Sequence, residues 1–532
     1  MLNPFSQAMR QHFFRLKLPA ALARRLRSGA CIVWLCWWGV QSGAQTLPVF
    51  NIVDFGAKND SNALSTAAIQ AAIDRAHASP GGGIVQVPAG AFRSGSLHLK
   101  SNVELQLAEG ATLLGSTNRF DYSKITWHAL LLAEGQENIA VTGPGAIDGQ
   151  GAALAANVVR LVKTGVIVDP YWGNNRPHER ERPQLIEFVR CKNVRITGLM
   201  LRNSACWVQT YQECDGLRIE RVRVESRAYW NNDGIDVVDS RNVLIRDCDI
   251  NAADDGICLK SSFPPAFCEH IVIENCRVRS SASALKFGTA TRSGFRNVRV
   301  RNLQIADTYR SAIALEIVDG GFMENIEVSD ILAKNTGNAI FIRLGRRNLE
   351  KPAGSIRHIR IHDVTVEVPT GRPDAGYAFE GPEVTEPHNL NPASITGLPG
   401  HPVRDVTLEN IHIRFGGGGA RERACVSPDS LDQVPERPAD YPEFSMFGEL
   451  PAWGFYVRHV SGLRLKNIFL ECVERDFRPA FVFDDVQDLA LKGVRLEGSG
   501  GTPDVVLRQV SNVHPKKMRR RGARLVLYRP AK

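Results

Sequence analysis

Asn242-Val-Leu-Ile-Arg-Asp-Cys-Asp-Ile, residues 242–250, returns as His270-Ile-Val-Ile-Glu-Asn-Cys-Arg-Val at 270–278 and as Asn297-Val-Arg-Val-Arg-Asn-Leu-Gln-Ile at 297–305. Upstream the same piece starts at Asn193 and Gly216, and downstream at Asn325, so successive starts lie 23 to 28 residues apart. Each unit carries two short runs that alternate apolar and polar residues, as strands with one buried face do. So little apolar surface cannot form a core alone, whereas stacking one unit on the next buries it continuously. The expected fold is all-β: a parallel β-helix whose coils bond each other about 4.8 Å apart.

Outward from that stretch the motif persists at His358-Ile-Arg-Ile, Asp405-Val-Thr-Leu, Gly462-Leu-Arg-Leu and Asp488-Leu-Ala-Leu. The solenoid therefore takes in nearly all of the 532 residues. Two stretched intervals, 367–403 and 415–453, are rich in Pro, Gly and charge and read as long loops projecting from one corner. Before the repeats, Ser65 to His77 has Ala, Ile and Gln at helical spacing, followed by Gly81-Gly-Gly and a strand over Ile84–Val87. A short helix there would cap the open N-terminal end of the stack.

Residues 1–44 stand apart, with six basic and no acidic residues up to Arg27, an apolar run around Cys31–Val40, and the small residues Ser42-Gly43-Ala44. This is the pattern of a secretory signal peptide, and the run is too short for the roughly 20 residues of a membrane span. Three segments are expected: a signal at 1–44, one β-helix domain at 45–515, and a basic tail at 516–532. The protein would be secreted or periplasmic, with no stable membrane insertion after cleavage. The formal charge of +9 falls to +3 without the six basic signal residues, and to −5 without the eight in the tail. The tail lacks interleaved aromatics, and no nucleic-acid-binding motif is present, so nucleic acid is not an expected partner. No CxxC pair or His cluster offers a zinc site.

The candidate chemistry lies between Asn231 and Lys260, which reads Asn-Asn-Asp-Gly-Ile-Asp at 231–236 and Ala-Asp-Asp-Gly-Ile-Cys-Leu-Lys at 253–260. Asp233 and Asp255 are 22 residues apart, about one coil, and Asp254 adjoins the second. Stacked on one face, they suit an inverting hydrolysis, in which a protonated carboxyl serves the leaving oxygen and a carboxylate activates water. Crowding is expected to raise at least one of their pKa values. Asp-Gly is also ordinary turn chemistry; two such turns in register, with the Asp doubled, favour the catalytic reading. Lys260 is expected against an Asp or an acidic substrate, and Asp236 as a turn or ladder residue. Trp207, Tyr229 and Trp230 are either sugar-stacking plates or core.

With these motifs the chain resembles the polygalacturonase family of glycoside hydrolases, family 28. The resemblance rests on Phe50-Asn-Ile-Val-Asp-Phe-Gly-Ala, Gly143-Pro-Gly-Ala-Ile-Asp-Gly, Arg182-Pro-Gln-Leu-Ile-Glu-Phe, Asn231-Asn232-Asp233, Asp254-Asp255 and Lys260. It implies a right-handed parallel β-helix that hydrolyses galacturonic-acid linkages of pectin with inversion and without cofactor or metal. Asp254 would be the general acid, with Asp233 and Asp255 positioning and deprotonating water, and Asn231, Trp230 and Lys260 would meet substrate. Two motifs depart from the family. Ala282-Ser283-Ala284 stands for Gly-His-Gly, removing a supporting histidine, and Ala314-Leu315-Glu316 stands for Arg-Ile-Lys, removing the clamp on the substrate carboxylate. Lys286, Arg310 or Arg343 on neighbouring coils are the candidate replacements, and Glu316 alternatively points to a different, neutral sugar. A calcium-dependent polysaccharide lyase on the same scaffold and a non-catalytic glycan-binding β-helix are the rival readings.

Overall fold

The computed structural model describes residues 46–173, 176–371, 373, 391–420, 428–498, 503–520 and 523–529. The expected signal segment 1–44 and the middle of the expected loop at 367–403 lie outside them. Leu47 onward forms one unit, built of parallel strands stacked coil on coil.

The leading residue of each repeat explains the motif. Asn193, Asn242, His270, Asn297 and Asn325 all have φ between 53° and 57°, and Gly216 has φ 78°. This left-handed region turns each coil's corner, and asparagine and glycine enter it more readily than branched residues do. The turned asparagines also bond along the stack: Asn193 Nδ2 donates to Asn138 Oδ1 at 3.0 Å, and Asn325 Nδ2 to Asn297 Oδ1 at 3.1 Å. After each turn the register is held residue for residue, so Val243, Ile271, Val298, Ile326, Ile359 and Val406 form one inward column. All six are buried. The eight cysteines among the described residues are buried and free, acting as small core groups.

The cap is present as helix α1, Thr66–His77, which buries Ile69, Ala72, Ile73 and Ala76 against the first coil. A second helix, α2, Gly151–Lys163, was not expected from the repeat pattern. It buries Leu154, Ala155, Val158 and Leu161, an i, i+4, i+7 face that periodicity alone could have found. The interval 367–403 is not all loop: Ala393–Thr396 is a rung, paired with Phe341–Arg343 on one side and Phe455–Arg458 on the other. The described residues of the basic tail likewise include strands of the stack. The last long strand, Val505–Lys516, crosses the boundary drawn at 515. Beyond it Arg519–Arg520 pairs with Arg495–Leu496, and Leu527–Tyr528 pairs with Val505–Val506.

Because each coil is stabilised only by its neighbours, a cavity in one is felt as lost coil-to-coil packing. Ile273→Ala, at a fully buried position, is expected to cost about 2–5 kcal/mol. Arg277→Ala, on the exposed side of the same strand, is expected to stay within about 0.5 kcal/mol of the parent. Urea unfolding of the two variants measures both.

Candidate active site

Four successive rungs, Gln209–Gln212, Ile235–Val238, Ile257–Ser261 and Leu285–Thr291, build the floor of the site. Strand alternation turns Tyr211, Val237, Leu259 and Phe287 into the core, and brings Thr210, Asp236, Cys258 and Lys286 into one column on the opposite face. Asp233 and the Asp254-Asp255 pair sit at the turns entering the second and third rungs. Their backbones extend the ladder, with Gly234 N donating to Asp255 O at 2.9 Å and Gly256 N to Ser283 O at 2.8 Å. The glycines are there for close approach rather than turn angle. A Cβ on Gly256 would lie 2.4 Å from Val278 Cγ1 and 2.7 Å from Ala284 O, and one on Gly234 would lie 2.6 Å from Gly256 O.

Two buried ammonium groups organise the carboxylates. Lys260 Nζ donates to Asp233 Oδ2 at 2.9 Å and to Asp236 Oδ1. Asp236, expected as a turn or ladder residue, is a ladder residue, paired with Thr210 and Cys258, and its fully buried side chain is also the second partner of Lys260. Lys286 Nζ lies 3.0 Å from Asp255 Oδ2, while Ser283 N donates to Asp255 Oδ1 at 3.1 Å. Asp254 Oδ1 accepts from Asp255 N at 2.9 Å, and Asp254 Oδ2 accepts from Asn231 Nδ2 at 3.3 Å.

These surroundings drive neighbouring carboxyls apart. Burial opposes ionisation of Asp255, but Lys286, Lys260 and Arg310 outweigh it and hold its pKa below the ordinary aspartate value. Asp254 is shifted the other way, first by burial and then by the charge of Asp255. Burial also lifts Asp233 well above the ordinary value against the pull of Lys260, and pushes Asp236 up to about 6. One oxygen each of Asp233 and Asp255, with Cys258 Sγ, lie within 4.8 Å of one another. That is closer than the about 6.5–9.5 Å that separates acid from base in inverting enzymes. The stacked pair Asp233/Asp255 is therefore not the acid–base pair across the bond; the two can address one water.

A metal does not suit this trio. Each carboxylate already faces an ammonium at 2.9–3.0 Å, and the third donor is a thiol whose pKa burial raises well above normal. A hard cation such as calcium seeks six to eight oxygens.

Above the carboxylates is a cleft of about 910 Å³. Of the residues singled out from sequence, Asp233, Asp254, Asp255, Lys260, Asn231, Lys286, Arg310 and Trp230 line it, whereas Asp236, Glu316 and Arg343 do not. Trp207 lines it too, with Lys260 Nζ 4.2 Å above its ring, and Trp127 packs on Trp207 at 5.4 Å. Tyr229 is not on the lining; its ring lies under the Arg182 guanidinium at 5.2 Å. Arg176 covers Trp230 at 4.8 Å. Among the members not foreseen from sequence, Trp127, Arg176, Glu179, Arg347 and Tyr441 come from segments outside the repeated units, and Thr210, Gln212 and Thr289 from the rungs themselves.

Residues 82–425 match the family model described as glycosyl hydrolases family 28. The chain belongs to glycosyl hydrolase family 28. Among its relatives are the exo-poly-alpha-D-galacturonosidase of Dickeya chrysanthemi, 29% identical over 251 residues covering 39% of this chain and 41% of that protein, and the polygalacturonase of Ralstonia solanacearum, 26% identical over 345 residues covering 55% and 64%. The match thus spans less than two thirds of either relative's length. The exopolygalacturonase of Thermotoga maritima shares the fold, with TM-score 0.54 and 23% identity over 70% of this chain and 88% of that one. So does the tailspike protein of E. coli bacteriophage HK620, with TM-score 0.53 and 13% identity over 87% and 74%.

Within this family 28 chain, the two departures are resolved locally. Where the histidine motif is missing, Asp255 is gripped by the Ser283 backbone and by Lys286. Where the cationic clamp is missing, Ala314 follows Lys286 in the floor column, and Glu316 is buried, with Oε2 unbonded among the described residues. Burial pushes Glu316 up to about 7 against the attraction of Lys286. Arg343 is no substitute, because its guanidinium donates to the carbonyls of Gly397, Glu436 and Arg437. Arg310 remains in the cleft, with Nε 3.3 Å from Glu443 Oε2.

Gly256→Ala tests the close approach. Relieving its contacts requires the coils to part, at a cost of about 1–3 kcal/mol, and moves Asp255 away from Lys286. A lower thermal midpoint together with reduced turnover is expected, whereas the same change at exposed Gly135, where a Cβ meets nothing within 4 Å, is expected to leave turnover intact.

Proposed function

We propose that this chain hydrolyses galacturonic-acid-containing, pectin-like polysaccharide with inversion, Asp254 acting as general acid and Asp233 and Asp255 sharing the attacking water. The observation that carries this reading is the opposite displacement of two adjacent carboxyls, Asp254 toward its protonated form and Asp255 toward its ionised form. Carboxyls whose environments push their pKa values apart divide the acid and base roles between them. A site built only to bind glycan has no need of that division, and a calcium-dependent lyase would need free carboxylate oxygens where Lys260 and Lys286 already sit.

The charge of the lining supports an acidic sugar. Arg176, Lys260, Lys286, Arg310 and Arg347 face Glu179, Asp233, Asp254 and Asp255, and Asp254 leans toward neutrality. Arg310 and Arg176 are the groups placed to meet a substrate carboxylate, since guanidinium geometry suits bidentate contact. Trp207 and Trp230 offer ring faces for the sugar.

Asp254→Asn keeps the volume and removes the proton donor. Turnover on pectic substrates is expected to fall by about 10²–10⁴-fold with unchanged thermal unfolding, as read by mass analysis of saturated products and by NMR of the first anomer released. Undiminished turnover would sink the assignment.

The pH profile has a definite direction. Activity needs Asp255 ionised and Asp254 protonated, so the acidic limb is expected below, and the alkaline limb above, the ordinary aspartate value. Lys286→Met removes the strongest attraction holding Asp255 ionised and is expected to move the acidic limb of kcat/KM to higher pH. Stability follows the same sign: the lowered pKa of Asp255 contributes stability above its unfolded value, and that contribution is lost as pH falls through the folded one.

A further inference from the structure

The floor column of the site is open for only part of its length. It runs Glu187, Thr210, Asp236, Cys258, Lys286, Ala314 from coil to coil, and it is covered at both ends. At the first, Glu187 is fully buried, and its Oε1 accepts from Trp127 N at 2.8 Å and Thr126 N at 3.2 Å, so the 126–127 backbone closes over it. At the other end, Ala314 and the next residue in the column, Phe341, are buried under the segment 428–453. They form a second apolar cluster with Phe444, Phe447 and Leu450, separate from the solenoid core.

That segment is fastened rather than draped. Arg343 donates to Glu436 O at 2.7 Å, Arg458 to Val434 O at 2.7 Å, and Arg478 to Leu450 O at 3.0 Å. At its inner edge, Tyr441 Oη accepts from Lys286 Nζ at 3.1 Å, and Glu443 pairs with Arg310. Tyr441 therefore stands as a wall one residue from the base Asp255. Across the strands, Trp230 and Asn231 border the site before the rungs, and Phe263, past the third rung, and Ala290, near the end of the fourth, border it on the other side. The cleft's volume of about 910 Å³ lies in the range of about 300–1,000 Å³ typical of small-ligand sites.

We infer that the site is a blind pocket that receives the end of a polysaccharide chain or a short oligosaccharide, with the 428–453 segment as its end wall, and that cleavage is endwise. This rests on the hydrolase reading above and names the form of substrate that site accepts. A through-groove would continue over Ala314 and Phe341; here those positions hold apolar side chains under Phe444 and Phe447.

The test follows the size distribution and viscosity of homogalacturonan during digestion by the full chain, alongside the appearance of reducing ends. Endwise cleavage keeps high-mass polymer and viscosity while short saccharides accumulate from the first time points. Early loss of viscosity with intermediate fragments would overturn the inference while leaving the hydrolase reading intact. No new reducing ends from homogalacturonan, from branched galacturonic-acid-containing pectins or from their oligomers would overturn the hydrolase reading and the inference with it. Phe447→Asp, chosen to unseat the wall without touching the cleft lining, is expected to add mid-chain scission to the endwise products. A folded Phe447→Asp protein with an unseated segment, seen as new protease sensitivity in 428–453, and with a purely endwise pattern would count against the wall. If that variant does not fold, the wild-type time course alone decides.

Discussion

Backbone pairing between successive coils in a fixed register is the constraint on which the rest of this molecule depends. No coil can satisfy its own peptide groups or bury its own apolar face, so each N–H and C=O finds its partner one coil away. A slip of one residue in any rung would exchange the inward column of Val237, Leu259 and Phe287 for the outward one of Asp236, Cys258 and Lys286. It would place an ammonium in the core and an aromatic ring in the cleft. The left-handed corners at Asn242, His270 and Asn297 and the glycine contacts at Gly234 and Gly256 keep that register against such a slip.

Features encoded locally were readable from the chain itself. The repeated Asn-apolar-x-apolar unit carries its corner and its buried face within a few residues, and Asp254-Asp255 one coil from Asp233 announces a stacked acidic patch. What escaped reading depends on segments that share no period with the repeat. Tyr441 reaches Lys286 across 155 residues, and Trp127 and Arg176 come from loops whose composition resembles any other. Helix α2 has a clear amphipathic face but lies where the repeat reading had no unit to place. Asp236 is the ladder residue its spacing allows, but its pairing with Lys260 is not legible locally, because it takes the register to bring the two side chains together. The same register shows that Arg343, although one rung from Glu316, spends its donors on loop carbonyls.

The fold alone does not select an activity, since a phage tailspike and an exopolygalacturonase share it. Selection happens in the cleft, where the arrangement is expensive. Lys260, Lys286 and Arg310 are buried among Asp233, Asp236, Asp254 and Asp255, and burying such charges usually destabilises a protein relative to apolar packing. A long solenoid tolerates that locally, because the apolar columns above and below the four active rungs continue without interruption.

Lys286 holds two things at once. Its ammonium lies 3.0 Å from the Asp255 carboxylate and donates at 3.1 Å to Tyr441 Oη, so Asp255 and the 428–453 segment share one cation. Coupling of this kind is reciprocal. Whatever displaces Tyr441 changes how strongly Asp255 keeps its charge, and a proton taken up by Asp255 loosens the seat of Tyr441. The seat of the 428–453 segment and the charge of Asp255 are thereby one equilibrium rather than two.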